Sequence, residues 1–367
     1  MPQSLIYVSN SVLPSKFANS VHVMKMCNAF SLNGFDVTLI GKSISSKFNK
    51  FSLFNVYDVD PIFQIKLFNV LRLPLSSVFI SLFVIPFWIV LNRRQDSIVY
   101  SRNRHASFIL SVLGVCHYYE MHGISANYIQ DKLDRFICGS RALTRLVVIS
   151  ESLAHDIKDS FDLKHDKLVV AHDGADIYDL DSIETLRLNG NFKYNVGYVG
   201  SLLPGKGVGL LCDAALDLHD IGFHIVGGAR VEVDEFKENY KFQNNIFFYG
   251  FVSHESTKKY LKAFDVVVLP NEKNVTTANG EDIGKYTSPL KMFEYLAFDK
   301  KIIASDLPVL REVLQGDYCF YFKAGDSKDL ASVIRTTKNT KPAKSGRILV
   351  RHKYSWLSRA KLVLGIE

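Results

Sequence analysis

Two doubly wound α/β domains are what this 367-residue sequence predicts, on three observations. Short apolar, β-rich runs alternate with helical patterns along most of the chain, and short buried strands separated by helices build parallel sheets from βαβ units. The runs fall into two sets, divided by a polar stretch at 175–192 that contains Ala-Asp-Ile-Tyr-Asp-Leu and Leu-Asn-Gly-Asn. The length, with 47% hydrophobic residues, exceeds what one compact core serves and fits two domains of ordinary size. A Rossmann-like domain over 1–178 and a second over 179–354 follow. In doubly wound sheets ligands bind beyond the carboxyl ends of the strands, so the expected site is a central cleft that both domains face.

In chain order, the first set of strand candidates is Leu5–Val8, Val37–Ile40, Ser97–Tyr100, Cys116–Glu120, Leu146–Ile149 and Leu168–Ala171. The second is Val196–Val199, Phe223–Val226, Ile246–Tyr249, Val266–Leu269, Lys301–Ala304 and Tyr318–Phe320. Neither an internal repeat nor a low-complexity tract interrupts them.

Composition narrows the setting. Five cysteines (Cys27, Cys116, Cys138, Cys212, Cys319) form no C-x-x-C pair, which argues against a disulfide framework and a structural zinc and for a reducing cytosol. The N-terminus lacks the basic and long apolar regions of a secretory signal, so export is not expected. Residues 1–110 hold 11 Lys and Arg against 4 Asp and Glu, whereas the remainder is balanced at 33 against 33. The whole net charge of +7 therefore sits in the first third and points to an anionic partner. A membrane surface is favoured over nucleic acid, because Leu73–Leu91 is an uncharged run of 19 residues flanked by Arg72 and by Arg93-Arg94. An interface-lying segment, a buried core helix and a short span all fit that run, with Pro86 and three serines weakening the span.

The most telling stretch for chemistry is Tyr286-Thr-Ser-Pro-Leu-Lys-Met-Phe-Glu294. Ser288 reads as an N-cap and Pro289 as the first helical residue. Lys291 then falls in the first turn, where a cation opposes the helix dipole by roughly 0.3 to 1 kcal/mol unless an anion sits on the free N–H groups. Glu294, three residues on, shares its face. An ordinary amphipathic helix with two solvated charges is the competing reading.

Other strand-end loops add to this. Val196-Gly-Tyr-Val-Gly-Ser-Leu-Leu-Pro-Gly-Lys-Gly207 is a strand followed by a glycine-rich loop whose backbone can approach a phosphate, with Lys206 for charge. It departs from a nucleoside-triphosphate loop at Gly207, where Ser or Thr is needed. Phe223-His-Ile-Val-Gly-Gly228 and Ile246-Phe-Phe-Tyr-Gly-Phe-Val252 end in glycine turns. Four such loops in one domain converge on a nucleoside-diphosphate site. In the first domain, Glu120 and His122 lie two apart at a strand end, and Arg102-Asn103-Arg104-His105 could meet an anionic acceptor or form a solvated turn.

Together these segments resemble the GT4-type glycosyltransferases, retaining enzymes of the GT-B fold. The resemblance rests on Val199-Gly-Ser-Leu-x-x-x-Lys-Gly207, Ile225-Val-Gly-Gly, Phe248-Tyr-Gly-Phe-Val, Ala263-Phe-Asp-Val-Val-Val-Leu-Pro270, Ser288-Pro-Leu-Lys-Met-Phe-Glu-Tyr-Leu-Ala297 and Ile303-Ala-Ser-Asp-Leu-Pro-Val-Leu-Arg-Glu312. Tyr354-Ser-Trp-Leu-Ser-Arg-Ala-Lys resembles the terminal helix that returns to the first domain, here 355–367.

The resemblance implies that Glu294 holds the nucleotide ribose and that the backbone of Ser288, Pro289 and Leu290 holds the diphosphate. It implies that Lys206 neutralises the leaving phosphate beside Gly200 and Ser201. The loop Tyr249, Gly250, Phe251 and Val252 would border the base. His122 would approach the donor sugar, with Asn19 beside the reaction centre and Arg102 and Arg104 on the acceptor side. Two departures stand out. The first of the family's paired glutamates is replaced by Tyr286, with Glu281 and Asp282 nearby, and the usual arginine before the phosphate lysine is replaced by Ser201, for which Lys291 could compensate.

The expected activity is retaining hexosyl transfer (EC 2.4) from a nucleotide sugar, UDP-linked rather than GDP-linked. The acceptor is a glycan, polyprenyl-linked, in surface polysaccharide biosynthesis at the cytoplasmic face of the membrane. No metal or other cofactor is expected, and no nucleic acid. A sugar-nucleotide epimerase of the same fold and a catalytically silent nucleotide-sugar-binding protein remain open alternatives.

Overall fold

The computed structural model of the chain describes residues 2–15, 17–44, 50–70, 75–274 and 284–366. It divides into two compact units, Met1–Asp173 with Trp356–Glu367, and Gly174–Ser355.

The first unit is built on a seven-stranded parallel sheet. Its strands are β1 (Ser4–Val12), β2 (Asp36–Ser43), β3 (Gln64–Asn69), β4 (Ile98–Ser101), β5 (His117–Met121), β6 (Leu143–Val148) and β7 (Leu168–Val170). Their spatial order is β3-β2-β1-β4-β5-β6-β7. The central strands are buried on both faces, which is why they read as continuous apolar runs. β3 was not among the expected strands: it lies at the edge, with only Ile65 fully buried and Gln64 and Lys66 exposed, so its apolar signal is broken by polar residues.

The second unit holds β8 (Asn195–Val199), β9 (Gly222–Val226), β10 (Ile246–Gly250), β11 (Val266–Leu269), β12 (Lys301–Ser305) and β13 (Phe320–Phe322), ordered β10-β9-β8-β11-β12-β13 and all parallel. The last strand begins two residues later than expected, because Tyr318 closes the helix Pro308–Tyr318. In each sheet the strand order reverses beside the first strand of the unit, between β1 and β4 and between β8 and β11. The loops leaving those strands flank a crevice at the carboxyl edge, the usual place for a ligand in such sheets.

From Ser76 onward the apolar run is helical, as Ser76–Phe79, a π-type turn Ile80–Val84 and Ile85–Asn92. One face, with Ile80, Ile85 and Ile89, is buried against Ile6, Val8, Ile40, Val99 and Leu110. The other exposes Leu75, Phe79, Phe83, Phe87 and Leu91, each four residues from the last. Steps of four drift by about 40° in a regular α-helix, and the wider π-type turn offsets that drift. Among the described residues no helix is long and apolar enough to cross a membrane.

Candidate functional site

In the second unit, the loop after β8 is held by close backbone approaches that only glycine permits. A Cβ on Gly207 (φ +71°) would lie 1.7 Å from the Pro270 carbonyl oxygen after β11, and one on Gly227 (φ +116°) would lie 2.0 Å from that of Gly200. Glu272 N–H donates to the Gly205 carbonyl at 3.0 Å, tying the two loops of the crevice together. Gly227 N–H likewise donates to the Gly250 carbonyl at 2.8 Å, and Gly250 (φ +70°) turns the chain into exposed Phe251 and half-buried Val252.

The helix bearing Lys291 runs Leu290–Ala297, one residue later than the sequence suggests: Pro289 occupies the N-cap position, no side chain caps it, and Ser288 is buried ahead of it. Proline pre-sets the chain direction but donates nothing, so the helix start keeps its outward N–H groups. Lys291 and Tyr295, one turn apart, both face the end of β8. The Tyr295 hydroxyl accepts from Val199 N–H at 2.8 Å, and Lys291 Nζ donates to the Tyr198 hydroxyl at 2.7 Å while lying 4.2 Å from the centre of that ring. The Lys291 ammonium stands 3.0 Å from where a Cβ on Gly200 would be.

Burial, and then Lys206, push the Lys291 pKa well below that of an ordinary lysine, against the pull of Glu294. Burial also lowers that of Lys206. Among the described residues no carboxylate lies within ion-pair distance of either lysine. Two ammoniums, a glycine loop and a helix start thus share one strand edge, with the half-buried Glu294 carboxylate one turn along. Ser201, which is exposed, accepts the Tyr198 hydroxyl through its carbonyl at 2.7 Å. Tyr286 ends a 3₁₀ turn, Gly284–Tyr286, and Glu281 and Asp282 lie outside the described residues.

The first unit gathers a different cluster. Glu120, fully buried at the end of β5, accepts from His122 Nε2 at 2.7 Å, from Arg359 Nη2 at 3.1 Å and from the Tyr100 hydroxyl. Arg102 Nε lies 3.5 Å from the same carboxylate and His22 Nε2 lies 3.2 Å from it. His22 Nδ1 meets Asp173 at 2.7 Å. Burial opposes the Glu120 charge, but Arg359, His22 and Arg102 outweigh it and hold the carboxyl well below the usual range. Burial and Arg102 bring the His122 pKa down to about 4, so its imidazole is neutral near pH 7. Arg102 Nη2 lies 2.7 Å from His122 Nε2 and 3.3 Å from its Nδ1, and Nε2 is also the nitrogen that faces Glu120 at 2.7 Å, so the ring edge sits between the guanidinium and the carboxylate.

Arg102 is thus part of the cluster, and Arg104 is held by Asp134 at 2.8 Å and Gln130 at 2.7 Å, so neither forms a solvated turn. Asn19 is exposed in the first turn of helix Ala18–Leu32, one turn before His22. Arg359 comes from the helix Trp356–Leu364, whose buried face meets helix Ala18–Leu32, and its Nε also donates to the His172 carbonyl at 2.9 Å. Sequence reasoning missed Tyr198, Tyr295, His22, Asp173 and Arg359. The spacing of Tyr295 from Lys291 was a usable signal; the others come from separate elements that only the fold unites.

The glycine loop, strand order and helix start of the second unit agree with its sequence relationships. Residues 193–338 match the family of glycosyl transferases group 1. That match lies wholly within the second unit, Gly174–Ser355. An uncharacterized glycosyltransferase of Methanocaldococcus jannaschii is 26% identical over 143 residues, 35% of this chain and 36% of that protein's length. Over nearly the whole chain, the structure is similar to a sucrose-phosphate synthase from Thermosynechococcus elongatus (TM-score 0.74, 17% identity, 99% of this chain and 97% of that one). It is also similar to Anabaena HepE solved with UDP and glucose (TM-score 0.71, 13% identity, 98% of each). At such identities these likenesses establish the fold, two Rossmann-like domains of the GT-B type.

Proposed function

We propose that the chain is a GT4-type retaining glycosyltransferase that moves a hexosyl group from a UDP-sugar to a lipid-linked glycan, in surface polysaccharide biosynthesis at the cytoplasmic face of a membrane. The observation that carries this reading is the pair Lys206 and Lys291, two partly buried ammoniums beside a glycine loop and a helix start without a side-chain cap, with no carboxylate among the described residues to pair them. Buried charges normally have partners, and a diphosphate supplies two. UDP is favoured because HepE, of the same fold, is solved with UDP and glucose.

In this mechanism the nucleoside diphosphate departs from the anomeric carbon and leaves negative charge on its phosphate oxygen. Lys206, Lys291 and the helix N–H groups stabilise that charge as it develops, which lowers the barrier without a metal. Glu294 orients the ribose, and neutral His122, held by Glu120 and Arg102, meets the sugar on the acceptor side. The acceptor attacks the face the diphosphate leaves, giving retention. The apolar ladder Leu75 to Leu91 rests on the membrane interface. The test is release of UDP from a panel of UDP- and GDP-sugars supplied with lipid-linked glycan, with the product's anomeric configuration read by NMR. Release from UDP-sugars with retention, lost in Glu294→Gln, is expected; binding without acceptor-dependent release overturns transfer in favour of a silent binder.

A further inference from the structure

Lys42 lies at the end of β2 with its side chain 1% exposed, and its ammonium is held by Asn10 Oδ1 at 2.9 Å and Ser77 Oγ at 2.8 Å. Both partners are neutral, and among the described residues no carboxylate lies within ion-pair distance of it. A buried charge satisfied only by neutral oxygens costs stability that a counter-ion would recover. Burial lowers its pKa to about 8.

The helical turn that touches Lys42 also touches a helix start. Ser81, one turn after Ser77, accepts from Asn103 Nδ2 at 3.0 Å, and Asn103 Oδ1 caps the nine-residue helix Arg104–Val112 through Ala106 N–H at 3.1 Å. That helix carries Arg104 and His105 in its first turn, where the Arg104 charge opposes its dipole. Asp134 neutralises Arg104. His105 has its pKa lowered by burial, by Arg104 and by Lys42. Ser77 and Ser81 therefore face inward, toward Lys42 and the start of that helix, while the exposed ladder starts beside them: Phe79 is two residues from Ser77, and its ring centre lies 5.2 Å from that of Phe83.

We propose that Lys42, His105 and the start of helix Arg104–Val112 form a subsite for the phosphate or diphosphate ester of a single-chain lipid acceptor, whose apolar chain lies along Phe79, Phe83 and Phe87. This rests on the lipid-linked acceptor proposed above and specifies which group of it the first unit grips. A charged head joined directly to a hydrocarbon chain matches a buried cation adjoining an exposed apolar ladder, and the basic surplus of residues 1–110 favours such an anion's approach.

Farnesyl diphosphate, farnesol and inorganic diphosphate serve as probes, titrated calorimetrically below micelle formation with UDP saturating so that the second unit is occupied. Farnesyl diphosphate is expected to bind at least tenfold more weakly to Lys42→Met and within threefold of wild type to Lys42→Arg. The double variant Phe79→Ser with Phe83→Ser weakens it severalfold and carries the test should Lys42→Met not fold. Farnesol is expected to be indifferent to Lys42, and inorganic diphosphate to bind far more weakly than the farnesyl ester. Equal affinity of wild type and Lys42→Met for farnesyl diphosphate overturns the subsite. Lys42-dependent binding to phosphatidylglycerol vesicles without binding of the farnesyl ester also overturns it, in favour of a general headgroup contact. UDP affinity is measured for each variant: its absence in wild type defeats the donor reading and leaves the lipid arms interpretable.

Discussion

The two charge clusters of this molecule are built on opposite plans. Around Glu120, two carboxylates, Glu120 and Asp173, meet two guanidiniums, Arg102 and Arg359, so this cluster of the first unit closes its own charge balance. In the second unit the Lys291 ammonium meets a tyrosine hydroxyl and a ring face beside Gly200, and among the described residues neither it nor Lys206 has a carboxylate within ion-pair distance. The closed cluster fixes side chains in place; the open one is the anion site in the function proposed above. Burial is common to both, so what separates the two clusters is the presence or absence of counter-charge among the described residues.

The contrast is broken most strongly at Glu120. Glu120→Ala leaves Arg102 and Arg359 buried without a partner and is expected to destabilise the first unit by about 3–5 kcal/mol, read by denaturant unfolding. A loss below 1 kcal/mol would mean the cluster is not a closed balance. His224 supplies the next effect, within the second unit: its Nε2 faces Asn195 Oδ1 at 3.0 Å and its Nδ1 the Tyr249 hydroxyl at 2.9 Å, and burial lowers its pKa to about 4. Because the unfolded chain binds that proton near pH 6.5, stability is full above 6.5 and falls as pH drops toward 4, by at most about 3 kcal/mol. His224→Gln should flatten that slope in unfolding followed from pH 7.5 to 4.5.

The open cluster should behave in the reverse sense. Lys291→Met removes a charge that has no carboxylate partner among the described residues, so melting is expected to stay level or rise while turnover falls more than tenfold. Unchanged kinetics would show that Lys291 carries no part of the leaving charge. The smallest effect concerns Arg359: Arg359→Lys keeps the charge near Glu120 but loses the planar fork, and a severalfold fall in turnover with donor affinity unchanged is expected.

The α/β class, the parallel sheets and the GT-B architecture were legible because central strands buried on both faces leave uninterrupted apolar runs in sequence. The edge strand β3 was not, since Gln64 and Lys66 face solvent. In the second unit, Lys206, Lys291 and Glu294 stood out because a glycine loop and a misplaced first-turn cation are local signals. The partners of Glu120 left no comparable trace. His22, Tyr100, Asp173 and Arg359 come from a helix, a strand, a loop and the last helix, up to 337 residues apart, and none alone carries a signal. Ser288 misled for a physical reason: a serine before proline resembles an N-cap, but Pro289 took the cap position and Ser288 was buried.

The most direct test of an open cationic site is calorimetric titration of UDP, GDP and ATP, with and without magnesium, into wild type and Glu294→Ala. Metal-independent binding of UDP, lost in Glu294→Ala, is the predicted result. Magnesium-dependent ATP binding that ignores Glu294 would contradict it, and would turn the loop Gly200–Gly207 into a triphosphate site of another kind.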